Sequence, residues 1–250
     1  MEQNDVKVSY LITTYNETDS LQALLNQLIP TLTTWDEIVI IDDNSDNETT
    51  LQILDNAEEL ENIKVFKHPL NNDFAAQKNF GIAQCKKDYI FQIDADELLD
   101  DNLLKKFKEI LFINPESELF LIPRVNKVKG ITIDHVAGWR WNISSLPTEV
   151  EDSTIDKSSR EYALLRQFNL ILSETENSIK HYTPIINWPD QQTRLYKRSA
   201  KIQWIGKVHE RITGHMKYSQ FPVSKAFAIL HNKEIAKQES QNELYSKIGR

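Results

Sequence analysis

The sequence predicts an α/β protein whose mostly parallel central sheet is covered by helices on both faces. Three observations predict it. Short apolar runs alternate with segments of helical spacing through the first half of the chain. Two of those runs, Ile38–Ile41 and Tyr89–Ile93, are apolar enough to read as buried strands. Three runs end in polar clusters, and in a sheet with right-handed crossovers those ends share one edge, where such sheets bind ligands.

The elements follow in order. Val6–Ile12 reads as a first strand, and Leu21, Leu24, Leu25, Leu28 and Ile29 repeat at helical intervals after it. Ile38–Ile41 is a second strand, Glu48–Glu59 a polar helix, Ile63–Phe66 a third strand and Asn72–Gln84 a third helix. Tyr89–Ile93 is the fourth strand, Leu103–Ile113 the fourth helix and Leu119–Pro123 the fifth strand. After Pro123 the rhythm breaks. Residues 124–190 hold Trp139-Arg140-Trp141, an acidic loop-like stretch near Glu149–Asp156 and a helix at Ser159–Leu172. A strand at Leu195–Lys197 and a polar helix from about Glu234 close the chain. We read residues 1–123 as one half and 124–250 as its continuation within the same domain.

Composition narrows the function. At 250 residues and 40% hydrophobic, the chain suits one large domain, or one domain with a subdomain. No apolar run approaches the roughly 20 residues of a membrane span, and the polar, acidic start MEQNDVKVSY is not a signal peptide. The lone Cys85 excludes an internal disulfide and suits a reducing, cytoplasmic compartment. There the sequons at Asn16, Asn47 and Asn142 are chance matches. A net charge of −8 argues against nucleic acid or an anionic membrane as the main partner, though it leaves room for a nucleotide in a local pocket.

The three polar clusters are Thr13-Thr14-Tyr15-Asn16-Glu17, Asp42-Asp43-Asn44-Ser45 and Asp94-Ala95-Asp96-Glu97. Like charges a few ångströms apart repel by about 1 kcal/mol in water and more beside a low-dielectric wall. The third cluster must therefore be protonated, paired with bases or bound to a cation. Asp100 and Asp101 read as the acidic first turn of a helix. Asp94 and Asp96, directly after a buried strand, suit a hard divalent cation shared with phosphate oxygens. Asp42-Asp43 suits either an Asx turn or, at Asp43, an acceptor for base or ribose hydrogen bonds.

LITTYNE, VIIDDNSDNET, DFAAQKNFGI and FQIDADE, in that order over roughly residues 6–123, resemble the inverting GT-A-type glycosyltransferases of family 2. WIGKVHERI and AILHN resemble a branch of that family with a G-x-V-H-E segment, to which lipopolysaccharide-core glucosyltransferases belong. The resemblance implies a GT-A fold: a Rossmann-like nucleotide-binding half followed by an acceptor-side region. It implies Thr13 and Tyr15 at the nucleobase, Glu17 near base or ribose, and Asp43 at uracil or ribose. Lys78, Asn79, Asp94 and Ala95 would line the nucleotide, with Asp96 and His231 as ligands of Mn²⁺ or Mg²⁺. The donor would be a UDP-sugar. The acceptor would be a glycan, a lipid-linked molecule or a protein, with peripheral membrane contact open.

Inversion needs one in-line displacement and a base for the acceptor hydroxyl. Glu210, in Val208-His209-Glu210, is the candidate, desolvated by Trp204 and Ile205. His209 orients it or touches substrate, Arg194 either holds a phosphate or carboxylate near the site or is purely structural, and Trp139, Trp141 and Trp188 either stack on sugar faces or fill a core. Two rivals stay open. One is a sugar-nucleotide-binding module without catalysis, which a Glu210 pointing away from the pocket favours. The other is a phosphoryl or nucleotidyl transferase, although a phosphatase of the haloacid-dehalogenase type wants its D-x-D on the first strand. Only six glycines occur, none in dinucleotide or P-loop spacing.

Overall fold

The computed structural model describes residues 6–199 and 201–249; the first five residues of the polar N-terminal stretch lie outside them. The first half alternates as expected, with β1 (Val8–Thr14), α1 (Asp19–Leu28), β2 (Glu37–Asp42), α2 (Glu48–Glu58), β3 (Ile63–Lys67), α3 (Phe74–Gln84) and β4 (Tyr89–Asp94). β1 runs two residues beyond Ile12 because its parallel ladders continue to Thr13↔Asp94 and Thr14↔Asp42. α3 starts at Phe74 rather than Asn72. Asn71 and Asn72 have positive φ, and Asp73 caps the helix by accepting from the Ala76 N–H at 2.8 Å.

After β4 comes a strand the spacing does not announce, β5 (Glu97–Leu99). α4 (Asp101–Ile113) follows, capped by Asp100. β6 (Leu119–Lys129) runs through Pro123 instead of ending there. The remaining elements are α5 (Ile133–Gly138), β7 (Ile143–Ser144), β8 (Val150–Ser153), α6 (Arg160–Gln167), β9 (Ile171–Glu174), β10 (Ile179–Tyr182), β11 (Ile185–Lys197), β12 (Gln203–Ile205), β13 (Arg211–Thr213), β14 (Tyr218–Gln220), β15 (Ile229–Glu234) and α7 (Ile235–Ile248). Pro123 is tolerated because β14 pairs with β6 at Leu119–Leu121 and β15 pairs with it from Arg124, leaving the proline between the two ladders. The helix expected over Ser159–Leu172 ends at Gln167, where Asn169 turns the chain with positive φ into β9.

The main sheet has the order β3-β2-β1-β4-β11-β6-β15-β5. β3, β2, β1 and β4 are parallel, β11 is antiparallel to both its neighbours, and β15 is parallel to β6. Strands from residues beyond 123 are thus interleaved with strands from before it. β8, β10 and β9 form a small separate sheet, and β12 and β13 a hairpin.

The core lies on both faces of the main sheet. On one, Leu21, Leu24 and Leu25 of α1 and Phe107 of α4 pack on Tyr10, Phe91 and Phe120. On the other, α3 covers Leu11, Val39, Ile41 and Ile90, with Tyr196 and Trp204 completing the layer. α3 approaches closely only because residue 81 is glycine: a Cβ there would stand 2.6 Å from Leu11 Cδ1.

Candidate active site

The carboxyl ends of β1, β2 and β4 open into a cavity of about 780 Å³, whose other walls come from β6, β11, β15, the β12–β13 loop and α7. Thr13, Tyr15 and Asp43 line one end, beside Leu70 and Phe74. Tyr15 is 55% exposed, an aromatic face open to a ligand. The two neighbouring aspartates divide their roles. Asp42 is fully buried and accepts from the Ser45 N–H, three residues on, at 3.2 Å, which braces the turn after β2. Asp43 faces the cavity and accepts from the Leu70 N–H at 2.5 Å. Burial raises the Asp43 pKa above the ordinary carboxylate value, against that hydrogen bond.

The acidic knot after β4 is partly a structural device. Glu97 points inward, fully buried, and accepts from Arg194 at 2.9 Å, from Arg124 at 2.8 Å and from the Asp94 N–H at 3.0 Å. Arg124 also holds Asp190 at 2.8 Å, and Arg194 donates to Asp94 at 2.5 Å. An alternating ladder Asp190–Arg124–Glu97–Arg194–Asp94 therefore underlies the cavity floor. Burial alone would raise the Asp94 pKa, but the charges of Arg194 and Lys78, with the Arg194 hydrogen bond, together outweigh it and hold the carboxyl well below the usual range. Arg194 thus holds carboxylates, and Thr13 Oγ1 donates to Asp94 at 3.1 Å.

Asp96 stands on the other side of this floor. Because β5 pairs with β15 at Glu97↔His231, the imidazole falls beside Asp96, with Nε2 3.4 Å from Oδ2. The same strand pairs with β6 at His231↔Asn126, and Nδ1 lies 2.9 Å from Asn126 Oδ1. With Nδ1–H donating to that oxygen, Nε2 turns its lone pair toward the carboxylate. Two acceptors so placed call for a proton or a cation between them. The oxygen and nitrogen donors, at a separation suited to neighbouring positions of one coordination sphere, fit a divalent ion whose remaining ligands are phosphate oxygens and water. Among the described residues no group of three or more His, Cys, Asp or Glu could hold an ion by itself. Lys237 at 3.1 Å and Lys233 at 3.7 Å also face Asp96. Burial pulls the Asp96 pKa up; without a cation in place, a proton on His231 Nε2 shared with the carboxylate and the charges of these lysines hold it well below its ordinary value.

The β12–β13 loop carries Gly206-Lys207-Val208-His209-Glu210, and positive φ at Gly206 and His209 turns it back over the cavity. Glu210 meets a cation rather than the apolar wall expected: it is ion-paired with Lys78 of α3, whose ammonium stacks 4.4 Å over the Trp204 ring. Ile205 is exposed and screens nothing. His209 packs edge-on against Tyr245 of α7, 5.5 Å between centroids, and Phe74 meets the same ring from α3 at 5.4 Å.

One expected contact falls elsewhere, and two of the tryptophans take the packing alternative. Asn79 is absent from the cavity wall, because its amide bonds both ways to the Trp204 backbone at 2.8 Å and braces β12. Trp139 stacks on His135 instead, and Trp188 packs with Val125 and Ile185. Trp141 does line the cavity, as do Glu17 and Ala95. The sequence reading missed Arg124, Asn126 and the α7 residues Lys237, Gln241 and Tyr245. One signal for α7 was available: a lysine in a helix's first turn opposes the helix dipole and needs an outside partner.

Residues 9–146 match the family model "Glycosyl transferase family 2". The Gly206–Glu210 segment lies beyond that match. Over 102 residues the chain is 31% identical to the poly(ribitol-phosphate) beta-N-acetylglucosaminyltransferase TarP of Staphylococcus aureus, covering 40% of this chain and 31% of the relative. It is 33% identical over 95 residues to the lipopolysaccharide core biosynthesis glycosyltransferase LpsC of Rhizobium meliloti, covering 38% and 35%. A poly-beta-1,6-N-acetyl-D-glucosamine synthase of Staphylococcus epidermidis is 28% identical over 106 residues, 41% of this chain and 26% of the relative. The chain thus matches about a third or less of the length of these curated relatives. The crystal structure of S. aureus TarS 1-349 superposes with a TM-score of 0.54 at 17% identity, covering 97% of this chain and 64% of that one. The fold is the GT-A arrangement.

Proposed function

The chain belongs to glycosyl transferase family 2, and from that premise we propose that it moves a sugar from a UDP-sugar to an acceptor hydroxyl with inversion at the anomeric carbon. The observation that carries the reading is convergence. Nucleoside-type groups (Thr13, Tyr15, Asp43), a half-built cation site (Asp96, His231) and a carboxylate on a separate loop (Glu210) line one cavity. Tyr15 and Thr13 would take the base, Asp43 the ribose or base N–H, and residues 124–250 the acceptor side. Asp96 and His231 would hold Mn²⁺ or Mg²⁺, which when bound supplies positive charge to the departing diphosphate.

In the displacement, Glu210 takes the proton of the acceptor hydroxyl, whose oxygen forms the new bond to the anomeric carbon. The bond to the diphosphate oxygen breaks, and UDP leaves with the electron pair. The ion pair with Lys78 fixes the Glu210 carboxylate in the cavity wall. It also sets a requirement: the acceptor hydroxyl must take Lys78's place on the carboxylate, and the freed ammonium then stands inside the donor cavity. A binding-only module is disfavoured because Glu210 lines the cavity.

The test pairs binding with turnover. A thermal-shift screen of nucleoside diphosphate sugars with Mn²⁺ should raise the unfolding temperature with a UDP-sugar. Two of the relatives carry N-acetylglucosamine in their names, so UDP-N-acetylglucosamine heads the screen. Glu210→Gln should keep that shift while losing a factor of about 10²–10⁴ in transfer or donor hydrolysis. Wild-type turnover by the variant would assign the base elsewhere.

A further inference from the structure

Lys237 sits in the first turn of α7, where a cation works against the helix dipole and the helix offers it no partner of its own. Its partners lie across the cavity, in an ion pair with Glu17 and 3.1 Å from Asp96. Lys233 on β15 differs in kind. Its side chain is 7% exposed and donates to Gln241 at 2.7 Å, which fixes it in the wall. The Lys237 side chain is 42% exposed, on a long flexible stem, and has room to change partners.

The local charge count asks for an anion. With His231 neutral, Asp96 and Glu17 balance Lys233 and Lys237. A divalent ion on Asp96 and His231 would add two positive charges and take the carboxylate that Lys237 now shares. The diphosphate of a nucleoside diphosphate sugar carries two negative charges, which restores neutrality and offers the displaced ammonium new acceptors.

We propose that Lys237 is a diphosphate-binding residue of the donor site: on donor binding its ammonium moves from Asp96 to the oxygens of the leaving group, so that α7 closes that end of the cavity. The assignment rests on the reading of this cavity as a nucleoside diphosphate site. It places the charge-assisted bonds of Lys237 on the departing group, where they gain strength as negative charge develops.

Calorimetric titration of the full chain with UDP and with uridine, in the presence of Mn²⁺, tests it. Uridine has the base and ribose but no diphosphate. Lys237→Met keeps the stem and removes the charge. It should weaken UDP by about tenfold or more, the loss expected for one charge-assisted bond, and leave uridine unchanged. Lys237→Arg, which keeps a cation, should retain most of the UDP affinity and guards against a fold defect in the first variant. UDP binding by Lys237→Met at wild-type strength overturns the assignment, and so does an equal loss of UDP and uridine, which would mark a packing role. If wild type binds UDP no more tightly than uridine, the diphosphate reading of the cavity itself fails, and Lys237 falls with it. If only the variant result fails, that reading survives.

Discussion

Glu97 shows how much of a functional cluster can be scaffold. Three carboxylates within four positions read as a cation site, yet the structure turns one of them completely inward between two guanidiniums. Glu97→Gln keeps the shape and an acceptor oxygen but leaves Arg124 and Arg194 short of charge in a buried setting. Breaking a buried pair in this way costs about 3–5 kcal/mol. Urea unfolding should therefore report a loss of that size, and a change below about 0.5 kcal/mol would mean the ladder does not stabilise the fold. Spacing alone could not tell Glu97 from Asp96. The difference is made by β5, a three-residue strand too short to leave a periodic signature.

Among the elements, the first half was legible because its strands are dominated by apolar residues and the helices between them follow with helical spacing. Apart from the unannounced β5, only boundaries moved, where ladders extended into polar residues (Thr13, Thr14) or asparagines turned the chain (Asn71, Asn72). The second half was not. β11 carries Asn187, Asp190, Gln191, Gln192 and Thr193 through its middle, because that stretch borders the cavity and has no apolar face to show. The site was legible to the same degree: Asp94, Asp96, Asp43 and Glu210 stand at strand ends and in a turn, whereas the α7 wall depends on how a polar helix docks. Helix docking also yields a prediction at α3. A methyl at residue 81 would meet Leu11 Cδ1 at 2.6 Å, so Gly81→Ala should gain helix propensity and still destabilise by about 1–3 kcal/mol through overpacking. Thermal unfolding measures the sign, and a stabilised variant would show that Leu11 can move aside.

For the molecule as a whole, the site's electrostatics set how the fold responds to acid. Asp94, Asp96 and Asp190 are all held below their ordinary pKa: burial opposes this in each, but Arg194, then His231 and the lysines, then Arg124 prevail. A carboxyl with a depressed folded pKa binds protons more readily unfolded. Its contribution is therefore complete above the unfolded value near 4 and is lost as the pH falls below it. Asp43, shifted the other way by burial, offsets only part of this. The unfolding temperature should stay level from about pH 7 to 5 and drop below about pH 4. A midpoint that rose in acid would contradict the ion-pair network.

β15 is hydrogen-bonded on both sides, to β5 and to β6, and the alignment with each fixes where His231 comes to rest. Side chains alternate between faces along a strand, so a slip of a single position would swing the imidazole to the opposite surface. The same slip would turn Ile229, which is fully buried, out of the core, so the burial of that side chain holds the imidazole on its proper face. The register that seats Ile229 in the core is the one that seats His231 beside Asp96, so assembly of the candidate site and stability of the sheet are set by a single alignment.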